Sequence, residues 1–335
     1  MKRRAMLKGT SGGSAMQEMI HPTSESLLHP AQIVMATDLC DADILLPLAI
    51  AQAKSNHAQL TLVHALLTSL MTPWTAEAMV PPDGGMDAEE FAERILAELV
   101  QKARSEGVTC DSVVRHGVSA AEVVRDEMHR LDADRLIIGT HGRGRMGQLV
   151  LGSVAKSLLR TVFVPMFAVG PKVKTPRLVA EPKRILFAVA LKDREQDLAD
   201  ADAARKLAEG YGASLILMHV VGPESEQDGR LAMDIEEAKV LLDGLIPDKT
   251  TMTVELRTHV ACGEVVEEIL ESASRFDADW ILMGWNEKHR HGTLAENAVY
   301  RVMASAFIPV LTLPHPGKTM AAEAAGQKET SAATH

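Results

Sequence analysis

The sequence contains few aromatic residues and few cysteines, and each shortage excludes a class of protein. Phenylalanine, tryptophan and tyrosine make up only 3% of the 335 residues, so any core must consist of leucine, valine, isoleucine, alanine and methionine. The three cysteines (Cys40, Cys110 and Cys262) form no CxxC pair and lack metal-ligand spacing. This usage favours free thiols in a reducing compartment over a disulfide framework.

Positive charge and long apolar runs are also in short supply. The formal net charge is −10, whereas proteins that bind nucleic acid or anionic membranes are usually basic. No stretch approaches the ~18 apolar residues of a membrane span. The basic start, Met1 to Lys8, is followed by a polar, glycine-rich segment instead of the apolar run of an export signal. We therefore expect a cytoplasmic protein that binds neither nucleic acid nor membranes.

An internal repeat determines the predicted architecture. Short apolar blocks that begin at four positions of the first half recur in the same order in the second half: Ile33, Ala58, Asp132 and Phe163 correspond to Ile185, Ala213, Asp277 and Phe307. Such runs are typical of strands buried on both faces of a parallel sheet, and helical patterns lie between them. We predict an α/β fold with two tandem Rossmann-like, doubly wound domains, each a five-stranded parallel sheet flanked by helices.

The repeat also predicts element positions and domain boundaries. Strands are expected near residues 32–37, 59–64, 109–115, 135–139 and 163–169, and near 184–190, 214–220, 251–258, 280–284 and 307–313. Apolar spacing predicts two core-facing helix surfaces, the first at Ala42, Leu45, Leu46, Ala49, Ile50 and Ala53, the second at Phe91, Ile95, Leu96, Leu99 and Val100. The predicted parts are a disordered arm (1–28), two domains (29–172 and 183–316), a linker (173–182) and a disordered tail (317–335). The irregular segment 71–85 is either a lid over a ligand or a surface excursion.

A glycine motif follows the fourth predicted strand of the first copy. Gly139 and Gly142 are separated by two residues, and Gly152 and Ser153 follow nine residues later. Glycines let the backbone approach phosphate oxygens, and consecutive free N–H groups form an anion-binding concavity. Because Gly152, Ser153 and Val154 begin a predicted helix, its first amides and positive dipole end would face a phosphate.

Two alternatives stay open for this loop. The motif either cradles phosphates or merely connects a strand to a helix. Arg143 and Arg145, which lie between the glycines, either neutralise phosphate charge or are solvated.

The spacing Gly-x2-Gly-x9-Gly-Ser, after Asp-Ala-Asp and an apolar strand, resembles the ATP-binding signature of the universal stress protein family. The resemblance covers both copies, about residues 30–170 and 183–315, and implies five-stranded parallel sheets flanked by helices. It implies that the first copy binds ATP, with or without Mg²⁺. The implied contacts lie after strand one, at the end of strand two and in the glycine loop: Thr37, Asp38, Val63, Gly139, His141, Gly142, Gly152, Ser153 and Val154.

Several of these residues have a structural alternative. Asp38 either contacts the ligand or caps the following helix, or does both. Val63 suits an apolar core in any case, and His141 is a better candidate through its backbone than through its ring. His64 recurs as His219, which favours a role in the shared fold.

The second copy departs from the motif. Ala190, Glu287, Asn297 and Ala298 stand where the first copy has Asp38, Gly142, Gly152 and Ser153, and only Gly284 is kept. A carboxylate at the phosphate position repels phosphate oxygens. We therefore expect the second copy not to bind ATP in this mode and to serve as a pairing or regulatory partner.

Three functions are compatible with these features: an ATP-binding regulatory stress-response module, a slow ATPase or self-phosphorylating protein, and a scaffold with a vestigial site. The chain has neither a GxxxxGK[ST] loop nor a recognisable kinase-like catalytic set. This favours the regulatory module. If the protein is an enzyme, we expect at most slow ATP hydrolysis.

The last predicted strands are apolar edges that need a partner. Members of the family that the sequence resembles commonly pair through their last strands, which implies that residues 162–169 and 306–313 pair the two copies as a pseudo-twofold dimer within the chain. A homodimer of such chains is a further option.

Overall fold

A computed structural model describes residues 24–68, 87–140, 151–174, 177–246, 252–285 and 298–314. In these ranges the chain has the predicted α/β fold, with two similar domains. The first contains β1 (Gln32–Ala36), β2 (Gln59–Leu67), β3 (Cys110–Gly117), β4 (Arg135–Gly139) and β5 (Met166–Val169). The second contains β6 (Arg184–Ala188), β7 (Ser214–Val221), β8 (Leu256–Cys262), β9 (Trp280–Trp285) and β10 (Val310–Pro314).

Helices cover both faces of the sheet. The first domain has α1 (Ser24–Leu28), α2 (Ala42–Asn56), α3 (Ala88–Ser105), α4 (Ala120–Arg130) and α5 (Ser153–Thr161). The second has α6 (Arg194–Tyr211), α7 (Glu224–Gln227), α8 (Leu231–Asp243), α9 (Val265–Arg275) and α10 (Ala298–Ser305). Among the helices of the described ranges, none combines the length and the apolar character needed to span a bilayer.

All ten described strands form one sheet, in the order β3-β2-β1-β4-β5-β10-β9-β6-β7-β8. Neighbours within each domain are parallel, whereas β5 and β10 are antiparallel, with Phe167 opposite Leu311. This is the pairing that was predicted for the last strands of the two copies. Because β5 and β10 are antiparallel, the strands of the two domains run in opposite directions. The carboxyl ends of the two parallel sets therefore face opposite ways.

Some strand limits differ from the prediction, and proline explains two of them. The last strands begin at Met166 and Val310, three residues later than expected in each copy, directly after Pro165 and Pro309. A proline has no N–H to donate to the ladder; the two prolines only accept, from Leu136 and Ile281. The expected strand at 251–258 is instead β8, Leu256–Cys262, in register with β7.

The core lies in two apolar layers, one on each face of the shared sheet, and both layers contain residues of both domains. The predicted face of α2 is buried throughout. The prediction for α3 was partly wrong, because Phe91 is 44% exposed and lies under the guanidinium of Arg94. The buried stripe of that helix is Ala92, Leu96, Val100 and Ala103.

The residues that precede β1 belong to the fold in part. Residues 24–28, expected to be disordered, form α1, with Leu27 buried in the core. The carbonyl of Leu27 accepts a 2.6 Å hydrogen bond from Nη2 of Arg135, which is fully buried. Burial lowers the pKa of Arg135, because it removes the charged guanidinium from water. Hydrogen bonds to neutral acceptors such as this carbonyl replace some of the lost contacts with water. The remaining parts of the arm and the tail, residues 1–23 and 317–335, lie outside the described residues.

The linker is packed against both domains. Val173 and Leu178 are buried in the core layer that contains α2 and α6. The carbonyl of Ala180 accepts a hydrogen bond from Nε2 of Gln52 in the first domain (2.8 Å), and that of Val179 accepts one from Nε1 of Trp280 in the second (3.1 Å). The linker therefore helps to hold the domains together.

Across the other face of the sheet, α5 contacts α10. Nε of Arg160, in the last turn of α5, donates a 3.1 Å hydrogen bond to the hydroxyl of Tyr300 in α10. The ring of Tyr300 packs edge-to-face on Trp285, with ring centroids 5.4 Å apart. The helix that begins at the glycine motif thus ends in a contact with the second domain.

We expect the substitutions Arg160→Ala and Tyr300→Phe to be energetically coupled by about 1 kcal/mol, because each removes one side of the same hydrogen bond. Urea unfolding of the two single variants and the double variant measures this coupling. As a control, Arg125→Ala combined with Tyr300→Phe should be additive, since Arg125 instead pairs with Asp126. Equal additivity in both cycles would contradict the Arg160–Tyr300 contact.

Candidate functional site

The carboxyl end of β1 turns sharply into α2 through residues 37–41. Leu39 adopts a left-handed conformation, with a φ of 72°. Oγ1 of Thr37 donates to Oδ1 of Asp41 at 2.6 Å and accepts the N–H of Leu39 at 2.9 Å. Oδ1 of Asp38 accepts the N–H groups of Cys40 and Asp41 at 2.9 and 3.1 Å. Asp38 therefore has a structural role in the turn that leads into the helix, which is compatible with a second role in ligand contact.

Asp41 is the N-cap residue of α2, but its carboxylate is used within the turn and against β4. Its Oδ1 accepts the backbone N–H of Asp38 at 3.3 Å in addition to the hydroxyl of Thr37. Burial raises the pKa of Asp41 to about 6; the hydrogen bond from Thr37 opposes this shift, and the charge of Asp38 adds to it. A carboxyl with such a pKa in a cleft is a common feature of functional sites.

Gly139, the first glycine of the motif, lies against this carboxylate. A Cβ atom on Gly139 would overlap with Oδ2 of Asp41. The glycine therefore leaves space for this carboxylate at the end of β4, the strand that pairs with β1. Sequence reasoning missed Asp41, because only the pairing of β1 with β4 shows that it contacts the glycine.

One backbone hydrogen bond joins the two ends of the glycine loop, and another ties its start to β5. Thr140 donates its N–H to the carbonyl of Val169 at 3.1 Å, and Gly152 donates its N–H to the carbonyl of Thr140 at 2.7 Å. Gly152 is the N-cap of α5, and the amide of Gly152 is thus occupied by Thr140. The first amides of α5 are therefore the donors left for a phosphate, as the sequence predicts for this helix, and the predicted phosphate contact of Gly152 itself stays a prediction.

The start of α5 is open to solvent. Ser153 is exposed, and Val154 is 39% exposed, whereas Ala155 is buried. The first amides of a helix have no carbonyl partner within it, and they carry the positive end of its dipole. The predicted loop contacts His141, Gly142 and Arg143, together with Arg145, lie outside the described residues.

Val63 belongs to the core. It lies in the middle of β2, is fully buried, and accepts the N–H of Thr37 at 3.0 Å through its carbonyl. The prediction placed it at the end of strand two, but β2 continues to Leu67. Its side chain is apolar core, as expected in any case, and its described link to the site is the hydrogen bond to Thr37. The predicted ligand contact of Val63 stays a prediction.

The repeated histidines support the fold in both copies. Nδ1 of His64 donates to the carbonyl of Thr37 at 2.9 Å, and Nδ1 of His219 donates to the carbonyl of Val189 at the same distance. Each bond ties the second strand of a domain to the residue that follows its first strand. The interpretation that this histidine serves the shared fold is confirmed.

The corresponding cleft of the second domain has different chemistry. At the offset of 152 that relates Ile33 to Ile185, Thr37 and Asp38 are replaced by Val189 and Ala190. Asp193 caps α6 by accepting the N–H of Gln196. The described part of this cleft therefore lacks the side chains that surround Asp41 in the first domain.

Two further acids enter this cleft from α6. At the same offset, Asp197 and Asp200 stand where α2 has Leu45 and Leu48, and both acids are buried. Burial raises the pKa of Asp197 to about 6, and Oδ2 of Asp200 takes the place against Gly284 that Asp41 has against Gly139. Within the described ranges no group of three acidic, histidine or cysteine residues is arranged to hold a metal ion.

The substitution Gly139→Ala should destabilise the protein by about 1–3 kcal/mol, because the added methyl group overlaps with the buried carboxylate of Asp41. The same substitution in an Asp41→Ser background should cost less than half as much, since the overlapping group is then gone. Urea denaturation of the four proteins measures both effects. An equal cost in the two backgrounds would show that the Asp41 contact is not the cause.

Comparison with known proteins places this geometry in a family. A model of the universal stress protein family matches residues 31–170 and 181–314. A universal stress protein from Archaeoglobus fulgidus DSM 4304 is 16% identical over 86% of this chain and 97% of its own, with a TM-score of 0.62. A functionally unknown protein from Pseudomonas aeruginosa PAO1 is 15% identical over 89% of this chain and 97% of its own, with a TM-score of 0.56. A universal stress protein solved in complex with cAMP is 20% identical over 42% of this chain and 97% of its own, with a TM-score of 0.32. No curated protein matches the chain.

Proposed function

The chain belongs to the universal stress protein family, and from this premise we propose that its first domain binds an adenine nucleotide, ATP foremost, as a cytoplasmic regulatory module of a stress response. The second domain then serves as the structural and regulatory partner of the first. The proposal includes the predicted contacts that fall on described residues: Thr37, Asp38, Val63, Gly139, Gly152, Ser153 and Val154.

The position of the residues at the strand order reversal carries the proposal. Within the first domain the order is β3-β2-β1-β4-β5. The strand order therefore reverses between β1 and β4: β2 and β3 lie on one side of β1, and β4 and β5 lie on the other. Open α/β sheets bind ligands in the crevice at this point, outside the carboxyl ends of the strands. The turn from Thr37 to Asp41 follows β1, and the segment that begins at Thr140 follows β4. The described starts of both segments therefore lie at the same crevice.

The start of α5 supplies the attraction for phosphate. Its exposed first turn presents amides and the positive end of the helix dipole, and the hydroxyl of Ser153 lies at the same place. The Gly152–Thr140 bond fixes where the helix begins relative to β4. The contacts of His141, Gly142 and Arg143 stay predictions.

The second domain lacks this combination. Its cleft contains buried carboxyl groups of Asp197 and Asp200 beside Gly284, and Ala298 stands in place of Ser153. Because the first domain has Leu45 and Leu48 at these two positions, the two acids are additional negative charge in the second cleft, which disfavours a triphosphate. We propose that one nucleotide is bound per chain, in the first domain.

Isothermal titration of the full chain with ATP, ADP, AMP and cAMP, with and without Mg²⁺, tests this function. We expect one ATP per chain, and Ser153→Asp should weaken binding by about tenfold or more, because it places a carboxylate at the phosphate end of α5. Ala298→Asp, the matched change in the second domain, should leave the dissociation constant unchanged. Absence of ATP binding, or equal loss in both variants, would contradict the proposal.

A further inference from the structure

We propose that Asp41 links nucleotide binding to proton uptake: the first domain binds ATP more tightly when the carboxyl group of Asp41 is protonated. This inference rests on the nucleotide function proposed above and adds a regulatory input to the same site. The proton is taken from the solvent, and no covalent bond other than O–H is formed.

The contacts of Asp41 place its carboxylate at the junction of the two segments that flank the crevice. Oδ1 accepts the hydroxyl of Thr37 and the N–H of Asp38, while Oδ2 lies against Gly139. One residue after Gly139, the carbonyl of Thr140 holds the N–H of Gly152, where α5 begins. Gly139 and Thr140 therefore connect this carboxylate to the start of α5, where the proposed phosphate group is bound.

Thr37, Asp38 and Gly139, the described contacts of the Asp41 carboxylate, carry no positive charge. On the same turn, Asp38 adds a second carboxylate, and Asp43 on α2 is exposed to solvent. From β2, His64 is directed to the carbonyl of Thr37, and from β4 the contacting residue is the uncharged Gly139. Among these described neighbours, the charged group that acts on Asp41 is negative.

An approaching phosphate would increase the cost of ionised Asp41. Burial already raises the pKa of this group to about 6, and a further negative charge in a partly dry site favours the protonated form still more. Binding near neutral pH then draws a proton onto the carboxyl group, and the affinity falls as the pH rises above the pKa of the free protein. The nucleotide site would thus be more responsive to ATP in acidified surroundings.

Asp41→Asn is the decisive variant, because it removes the titrating group and keeps an oxygen acceptor for Thr37 and Asp38. ATP binding is measured by titration calorimetry at pH 5.5, 6.5 and 7.5 in paired buffers of different ionisation enthalpy, which report proton uptake. The terminal phosphate of ATP itself ionises near pH 6, and this affects both proteins alike. The dissociation constant of the wild type is therefore divided by that of the variant at each pH. We expect this ratio of dissociation constants to rise about tenfold from pH 5.5 to 7.5, with extra proton uptake by the wild type alone.

Two further variants complete the experiment. Asp43→Asn removes an exposed charge two residues away and should follow the wild type at every pH. If Asp41→Asn does not fold, Asp41→Ser replaces it. The ratio of dissociation constants is then expected to rise with pH in the same way, because this variant also lacks the titrating carboxyl group. An unchanged ratio between pH 5.5 and 7.5, or equal proton uptake by wild type and variant, overturns the proton linkage while ATP binding stands. Absence of ATP binding by the wild type at all three pH values overturns the proposed function, and this inference with it.

Discussion

The antiparallel pairing of β5 with β10 is the interaction on which the rest of the structure depends. It joins two parallel sheets into one, with Phe167 and Leu311 opposite each other and both fully buried. Without it each domain would expose an apolar edge strand, which is a site for unwanted association. The pairing also reverses the strand direction, so the two clefts lie at opposite edges of the shared sheet. Any influence of one cleft on the other must therefore pass through the sheet and its helices.

The two domains use the same scaffold for different electrostatics. In each, a carboxylate lies against the glycine at the end of the fourth strand, but Asp41 comes from the start of α2 and Asp200 from deeper in α6. The first domain surrounds its acid with the hydroxyl of Thr37 and backbone N–H groups, next to an open helix start. The second adds Asp197 beside Asp200 in the interior. A polar turn near a helix dipole suits an anion, whereas two buried acids oppose one.

A path for communication between the domains follows from α5. This helix begins at the proposed phosphate position, and Arg160 in its last turn donates a hydrogen bond to the hydroxyl of Tyr300. The ring of Tyr300 in turn packs edge-to-face on Trp285. The linker provides a second connection on the opposite face, where Gln52 and Trp280 bind adjacent carbonyls. A nucleotide that shifts α5 would act directly on the first connection.

The sequence by itself determined the repeat, the α/β class, the position of the glycine motif and the loss of that motif in the second copy. These features are local: apolar runs, spacing of glycines and substitutions at aligned positions can be read along the chain. Only the tertiary structure decided that residues 24–28 join the core, that the amide of Gly152 is occupied by Thr140, that Val63 is buried within β2, and that Asp41 lies against Gly139. The contacts of Asp41 with Gly139 and of Arg135 with Leu27 join residues far apart in the chain, separated by 108 positions in the second case. Local periodicity carries no information about such pairs, because they form only when strand order and register bring distant segments together.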